Sequence, residues 1–420
     1  MTGQTDSSQP TTPTLAQLTT VGVGGAVDRF VEAQSEEEFI AAVRGADAEG
    51  LPLLVIGGGS NLLADDEPFH GVVVRDARRG ISVLDDDAHA GVDAGAVSIV
   101  AQAGVNWDDF VAFCVDSGFS GVEGLSGVPG TVGASVVQNI GAYGQEVASS
   151  VSSVRVFDRE SKRVSQLDRN DMHFGYRSSA LKSSMYTAPA TPADSYFPTP
   201  RYVVLSVTFT LQRNETNEVA FGQLAKALGV EMGERMPIAD IRQAVLKVRA
   251  AKGMLEDMSR YLSPWMRGCK NFHIVTDVLS AGKLASHDRF TNVSGEAGFH
   301  QDFDRHSCGS FFMNPILDAA QAAALPEDAP RFDAVLPDGQ PGIKTSAAWL
   351  IDHAGFHKSY QLHDGASAGL STLHTLALTN RGGAKASDIA ELARVIQDGV
   401  EAKFGVRLVP EPVVVGMDLR

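Results

Sequence analysis

Two glycine-rich stretches are the parts of this sequence best suited to chemistry. Gly57, Gly58, Gly59, Ser60 and Asn61, followed by Leu62, come directly after an apolar run. Glycines there let the main chain approach a ligand closely, and successive N–H groups form an anion-binding concavity. The stretch lacks the Lys-Ser/Thr end of a P-loop and does not match the dinucleotide fingerprint G-x-G-x-x-G, so taken alone a structural turn is the favoured reading. The second stretch sets Gly121, Gly124, Gly127, Gly130 and Gly133 at every third residue, and Gln138-Asn139-Ile140-Gly141-Ala142-Tyr143-Gly144 follows. So short a run inside a globular sequence is not collagen. Main chain wrapped around a large flat or extended ligand is favoured over a packed turn region.

Other candidates are weaker on their own residues. Cys269-x-x-x-His273 and His306-x-Cys308, with Trp265 and His300 nearby, approach metal-ligand spacing. Ordinary core and loop residues are the favoured reading, and no metal is expected. Taken singly, Ser310 reads as a turn residue, Arg177 as one half of a surface salt bridge and Glu411 as a strand-end carboxylate. Arg249 and Lys252 read as a solvated helix face.

Alternating helices and strands must position these groups. Ser35 is a plausible N-cap with Glu38 three residues on, as in a capping box, and that helix is expected to stop near Gly45. Strands are expected over 53–56 and 72–75. Asn106 begins a helix in which Trp107, Phe110, Val111, Cys114 and Val115 share one buried face, with Gly118 beyond its end. Val203, Leu205, Val207, Phe209 and Leu211 alternate as a half-buried strand. A helix is expected over 347–354, ending at Gly355. Ser387 is expected to cap another, carrying Ile389, Leu392, Ala393 and Ile396 and ending at Gly405, and a last strand runs from Val406 into Pro410. The class is α+β. Residues 187–200 and about 256–306 look like insertions.

Whole-chain properties narrow the function. The 420 residues allow two or three domains or one large multi-lobed body, and 44% hydrophobic with 20% charged residues is ordinary for a globular protein. A net charge of −16 disfavours nucleic acid as a partner, since phosphate backbones need a basic surface. Three cysteines do not make a disulfide framework. No run approaches the ~20 apolar residues that span a bilayer, so no membrane insertion is expected. Residues 1–14 lack the charged start and apolar centre of a signal peptide and are expected to be a flexible tail. The expected location is cytoplasmic.

With these stretches in view, the chain resembles the UDP-N-acetylenolpyruvoylglucosamine reductases (the MurB family). The Gly57–Asn61 loop, Gly124-Leu-Ser-Gly-Val-Pro-Gly-Thr-Val-Gly-Ala and Asn139-Ile-Gly-Ala-Tyr-Gly resemble its FAD-binding part. Phe174-Gly-Tyr-Arg-Ser-Ser, Gly309-Ser-Phe-Phe-Met-Asn-Pro, Ala348-Trp-Leu-Ile-Asp and Pro410-Glu-Pro-Val match further motifs. The similarity covers nearly everything except the tail and the two insertions, and the joint occurrence of the motifs in one order is highly specific.

The resemblance implies an α+β fold: a two-subdomain FAD-binding module of the vanillyl-alcohol-oxidase/PCMH type plus a separate α+β substrate-binding domain. The expected division is 15–75 with 406–420 as the first FAD subdomain, 76–213 as the second and 214–405 as the UDP-sugar-binding domain. It implies that NADPH reduces FAD, which then reduces the enolpyruvyl double bond of UDP-N-acetylglucosamine enolpyruvate to give UDP-N-acetylmuramate for peptidoglycan. A monomer is expected.

By the same resemblance Ser310 gives a proton, Arg177 stabilises the enolate and Glu411 stands near the substrate carboxylate. FAD contacts are implied for Gly57, Gly58, Gly59, Ser60, Asn61 and Leu62. They are also implied for Ser126, Gly127, Pro129, Gly130, Gly133 and Ala134, and for Asn139, Gly141, Ala142, Tyr143 and Gly144. Substrate contacts are implied for Tyr176, Arg249, Lys252 and Asn314, and for His374, which stands where others have glutamine. Phe221 replaces a tyrosine of one subgroup and cannot donate a hydrogen bond. Met313 replaces a lysine, and either His357 or Lys358 answers to a further family lysine. A different flavoenzyme of the same fold, such as a sugar-lactone or alcohol oxidase, and a non-catalytic flavin- or nucleotide-binding module are the competing readings.

Overall fold

The computed structural model describes residues 12–84, 95–186, 198–270, 302–336 and 338–419. Most of the expected tail, residues 187–197 of the first insertion, and residues 271–301 of the second, with His273 and His300, lie outside the described residues. Pro13 and Thr14, assigned to the tail by sequence, are engaged: Val27 N–H donates to Pro13 O at 3.2 Å, and Thr14 caps the short helix Leu15–Leu18.

Strands Val27–Ala33, Phe69–Asp76 and Leu53–Val55 form a parallel sheet with Phe69–Asp76 in the middle. Seven of the eight residues of that central strand are buried, as expected for a strand covered on both faces. The helix Glu36–Glu49 packs on it through Phe39, Val43 and Ala46. Ser35 caps this helix by accepting the Glu38 N–H at 3.1 Å. The Glu38 carboxylate accepts the Gln34 N–H, at 2.8 Å, so the reciprocal arm of the predicted capping box is shifted by one residue. The helix also runs past Gly45, where the sequence suggested an end. Buried Val43 and Ala46 hold it on the sheet, and the left-handed residue that terminates it is Gly50, φ 65°.

A larger antiparallel sheet has the order Arg163–Asp168, Val151–Asp158, Tyr202–Arg213, Ala96–Gln102, Ile81–Leu84, with Phe119–Ser120 added on Tyr202–Arg213. Val203, Leu205, Val207, Phe209 and Leu211 are buried, as their period of two predicts. Asn106 caps the helix Trp107–Asp116, whose buried face meets this sheet; the Phe110 and Phe209 rings stand 4.5 Å apart.

The remainder holds two further cores. The helices Gly222–Leu228 and Ile238–Ala251 enclose a small one with Val219, against which Tyr143 packs. The larger one surrounds the helices Ala347–His353 and Ala386–Phe404 and takes in Phe311, Phe312 and, from the chain's beginning, Val21, Val23 and Leu63. Ser387 does not cap the last helix. It lies inside the first turn, and Asp66 satisfies that end from a distant loop, accepting the N–H groups of Ala386 at 2.7 Å and Ser387 at 3.1 Å. The final strand is Val413–Val415, parallel to Leu62–Ala64, and does not lie over 406–410. Pro410 and Pro412 have no N–H for a ladder, so regular pairing starts beyond them.

Gly45 has helical surroundings and open space, with nothing within 4 Å of an added Cβ. Gly45→Ala is expected to raise stability by about 0.5–1 kcal/mol, read from the denaturant midpoint. A lowered midpoint would show that the helix needs glycine there.

Candidate functional site

A cavity open to solvent lies between the two sheets and is lined by Gly57 to Leu62 together with Thr131, Gly133, Ala134, Gln138 and Tyr202. The two glycine stretches meet here backbone to backbone: a Cβ added at Gly58 would stand 2.7 Å from the Gly130 Cα. Gly59, at φ 64°, lies so close to Leu18 O that an added Cβ would overlap it at 2.1 Å. The carbonyls of Gly58, Gly59 and Asn61 are taken up by Arg260 at 2.8 Å, Thr20 N–H at 3.0 Å and Val413 N–H at 2.9 Å. Among the described residues no N–H of Gly57 to Asn61 has a protein acceptor. Unanswered donors in a row suit the diphosphate of a dinucleotide.

The residues predicted for FAD do not all line this cavity. Gly57 to Leu62, Gly133 and Ala134 do. Ser126 is buried, donating to Glu123 O at 2.6 Å, while Pro129 O accepts the Ser60 hydroxyl at 3.0 Å. Gly127 and Gly130 form the turn behind the wall. Asn139, Gly141, Ala142, Tyr143 and Gly144 lead from the cavity to two polar clusters.

The first cluster joins Arg177 and Glu411, with Ser310 on the segment that runs beside Glu411. Arg177 has a positive φ of 54°, unusual for a residue with a side chain. Its turn is tied down by Asn139, whose amide donates to Gly175 O at 2.8 Å. Arg177 Nε pairs with Glu411 Oε1 at 2.9 Å, and Nη2 donates to Gly141 O at 2.7 Å. Gln138 Nε2 donates to the same Glu411 oxygen at 3.1 Å, while Gln138 Oε1 accepts from Lys182 Nζ at 2.8 Å. Burial, reinforced by Arg177, lowers the Lys182 pKa against the pull of Glu411. Ser310 arrives on the neighbouring segment: Glu411 N–H donates to Phe311 O at 2.8 Å, and Met313 N–H to Val409 O at 3.0 Å. Asn61, a cavity residue, donates to Glu411 O at 3.4 Å. Tyr176 lies between two cations, each 5.2 Å from its ring: Arg177 and Lys344. Its hydroxyl accepts the Asn314 N–H at 3.3 Å, and burial raises its pKa, so it stays protonated. Asn314 Oδ1 accepts the Ala347 N–H at 2.9 Å, which fixes the start of that helix.

The second cluster is basic. Buried Arg249 donates to Gly127 O at 3.0 Å and Met254 O at 2.7 Å, and is hydrogen-bonded to the Tyr143 hydroxyl. Lys252 donates to Gln223 at 2.8 Å; burial, then Arg249 and Lys358, lower its pKa. His374 Nδ1 accepts the Leu376 N–H at 3.3 Å, which leaves the proton on Nε2. Burial, then Lys252, Lys358 and Arg249, push His374 down to about 4. A bound anion would relieve this mutual repulsion. Lys358 belongs to the cluster, whereas His357 turns outward to Asp352 at 3.1 Å. Phe221 meets Tyr143 edge-on at 5.7 Å beside it.

Sequence reasoning missed Gln138, Lys182 and Lys344. Gln138 borders a recognised motif and could have been found there; nothing in the sequence around Lys182 or Lys344 marks them. The cysteines of the metal reading fall in different cores. Cys269 packs with Tyr261 and Met266, Cys308 donates to Leu62 O at 3.3 Å, and His306 meets Asp257 at 3.1 Å.

The family model described as UDP-N-acetylenolpyruvoylglucosamine reductase, C-terminal domain, matches residues 301–415, and the one described as FAD binding domain matches 27–165. The UDP-N-acetylenolpyruvoylglucosamine reductase of Thermobifida fusca is 40% identical over 415 residues, covering 96% of this chain and 97% of the relative. That of Cutibacterium acnes is 41% identical over 405 residues, covering 96% and 89%. Among solved structures, the reductase of the same name from Thermus caldophilus shares the fold, with a TM-score of 0.53 at 23% identity over 96% of this chain and 97% of that one.

The depressed pKa of His374 has a definite sign in stability. Between pH 6.5 and about 4 the unfolded chain binds a proton that folded His374 refuses, so this group removes stability as pH falls. His374→Gln is expected to lose less stability than the wild type between pH 7.5 and pH 5 in denaturant titrations. Parallel losses would show that His374 titrates normally.

Proposed function

The chain belongs to the UDP-N-acetylenolpyruvoylglucosamine reductase family, and on that premise we propose how its residues divide the work. It is an FAD-dependent oxidoreductase of peptidoglycan synthesis that uses NADPH to convert UDP-N-acetylglucosamine enolpyruvate to UDP-N-acetylmuramate. The α+β fold is an FAD-binding module of the vanillyl-alcohol-oxidase/PCMH type with a separate substrate domain. In our division, 15–75 with 406–420 and 76–213 clasp FAD, and 214–405 binds the sugar nucleotide.

The cavity fits FAD: its glycines leave no room for side chains, and its N–H row stands ready for a diphosphate. FAD held there would supply hydride for the terminal carbon of the enolpyruvyl group. Negative charge then develops on the adjacent carbon and its carboxylate. Arg177, always charged and planar, meets that charge. Glu411, through the 2.9 Å pair, sets the angle of the guanidinium. The Ser310 hydroxyl donates its proton to the carbon next to the carboxylate. Arg249, Lys252, Lys358 and His374 hold the sugar nucleotide's diphosphate, and Tyr176 and Asn314 shape the floor beneath the enolpyruvyl group.

The observation that carries this reading is one seam. Asn61 and Gln138, both lining the glycine-walled cavity, bond to Glu411, which pairs with Arg177 and lies in register with Phe311, next to Ser310. We take the enzyme to act as a cytoplasmic monomer outside the membrane; no helix among the described residues is long and apolar enough to cross one.

The test is an anaerobic absorbance titration. Flavin absorbance is expected to fall on adding NADPH and to return, after removal of the excess, on adding the enolpyruvyl sugar nucleotide. Failure to return would move the protein to another oxidoreductase class. Ser310→Ala is expected to keep the first change and slow the second by roughly 10²–10⁴. Equal loss of both would contradict the proton-donor role. Arg177→Ala is expected to impair only the second half-reaction, and unchanged turnover would show the wrong arginine had been chosen.

A further inference from the structure

We propose that residues 256–270, the first part of the longer insertion, form a strap that preorganises the FAD diphosphate loop, with Arg260 as its positioning residue. The proposal rests on the reading that Gly57–Asn61 receives the diphosphate. Arg260 Nη2 donates to Gly58 O at 2.8 Å and to Leu18 O at 3.0 Å, joining the loop to the turn behind it. Gly58 C=O and Gly59 N–H belong to one planar trans peptide and point to opposite sides. Holding the oxygen outward therefore aims the Gly59 N–H into the cavity. Glycine on both sides makes the flipped peptide accessible, and a flip would turn a carbonyl oxygen toward the anion.

Arg260 is itself fixed. Its Nη1 donates to Glu256 at 2.7 Å, and the Tyr261 hydroxyl donates to the same carboxylate oxygen at 2.7 Å. Tyr261, Met266 and Cys269 are buried in the core formed by Leu15, Leu18, Leu54 and Ile56. The Trp265 ring meets Phe30 edge-on at 6.0 Å, and Arg75 donates to Trp265 O. At the far end Lys270 donates to Asn106 at 3.1 Å and lies 3.5 Å from Asp108, which accepts the Gly127 N–H at 2.7 Å. The strap therefore reaches both glycine stretches, one directly and one through a buried carboxylate.

The experiment is FAD titration of the apoprotein, followed by fluorescence. Arg260→Met keeps most of the stem packing and removes the donors. It is expected to weaken FAD binding about tenfold or more, the scale of a charged hydrogen-bond donor lost from a buried carbonyl. KM for the sugar nucleotide, measured at saturating FAD, is expected to stay unchanged. Arg260→Lys, which can reach one carbonyl, is expected to fall between. FAD affinity of wild-type strength in whichever of these variants folds overturns the strap. Wild-type apoprotein that takes up no FAD overturns the underlying reading instead.

Discussion

The parallel pairing of Val413–Val415 with Leu62–Ala64 is the constraint on which the site depends. It returns the chain's last segment to the loop that follows its first sheet and leaves Glu411 two residues outside the ladder, beside Asn61. From there Glu411 meets Arg177 from the larger sheet's domain and the Phe311 segment from the C-terminal core. Three parts of the chain thus meet at one residue, two through its main chain and one through its carboxylate. Any shift of this register by one residue would turn the alternate side chains to the opposite face and separate the acid from its arginine.

Charge is organised on the same local scale. The chain carries a net charge of −16, yet Arg249, Lys252, Lys358 and His374 gather in one basic cluster. Burial is the leading cause of the lowered pKa values of Lys252 and His374, and mutual repulsion adds to it. A site in this state gains on binding a diphosphate, because the ligand supplies the countercharge that the protein withholds. The Arg177–Glu411 pair differs: it is already neutralised and braced by Gln138, so it offers a fixed direction more than a free charge.

The glycine loops show why a defined main-chain geometry needs more than glycine. Glycine permits the close approach of Gly58 to Gly130, but it also leaves peptide orientation loosely specified. The structure supplies the missing specification from outside, through Arg260, Thr20 and Val413, each holding one carbonyl away from the cavity.

Much of this was legible from the sequence alone. The helix from Asn106, the alternation from Val203 to Leu211 and both glycine stretches follow from local periodicity and local conformational freedom, which neighbouring residues fix. The site roles came from motif resemblance; on residue type alone Arg177, Ser310 and Glu411 read as surface and turn groups. Where local signals competed with packing, packing won. The helix ran through Gly45 because Val43 and Ala46 are buried, and the last helix took its cap from Asp66, more than three hundred residues away. The placing of Lys358 rather than His357 beside Lys252 and His374, the entry of Gln138 and Lys182 into the Arg177 cluster, and the contact of Arg260 with Gly58 depend on segments remote in sequence. Sequence determined which residues could do this chemistry, because composition and short-range pattern are local properties. Only the tertiary structure decided which of them meet, because long-range pairing and burial set distances and charge states that no local window contains.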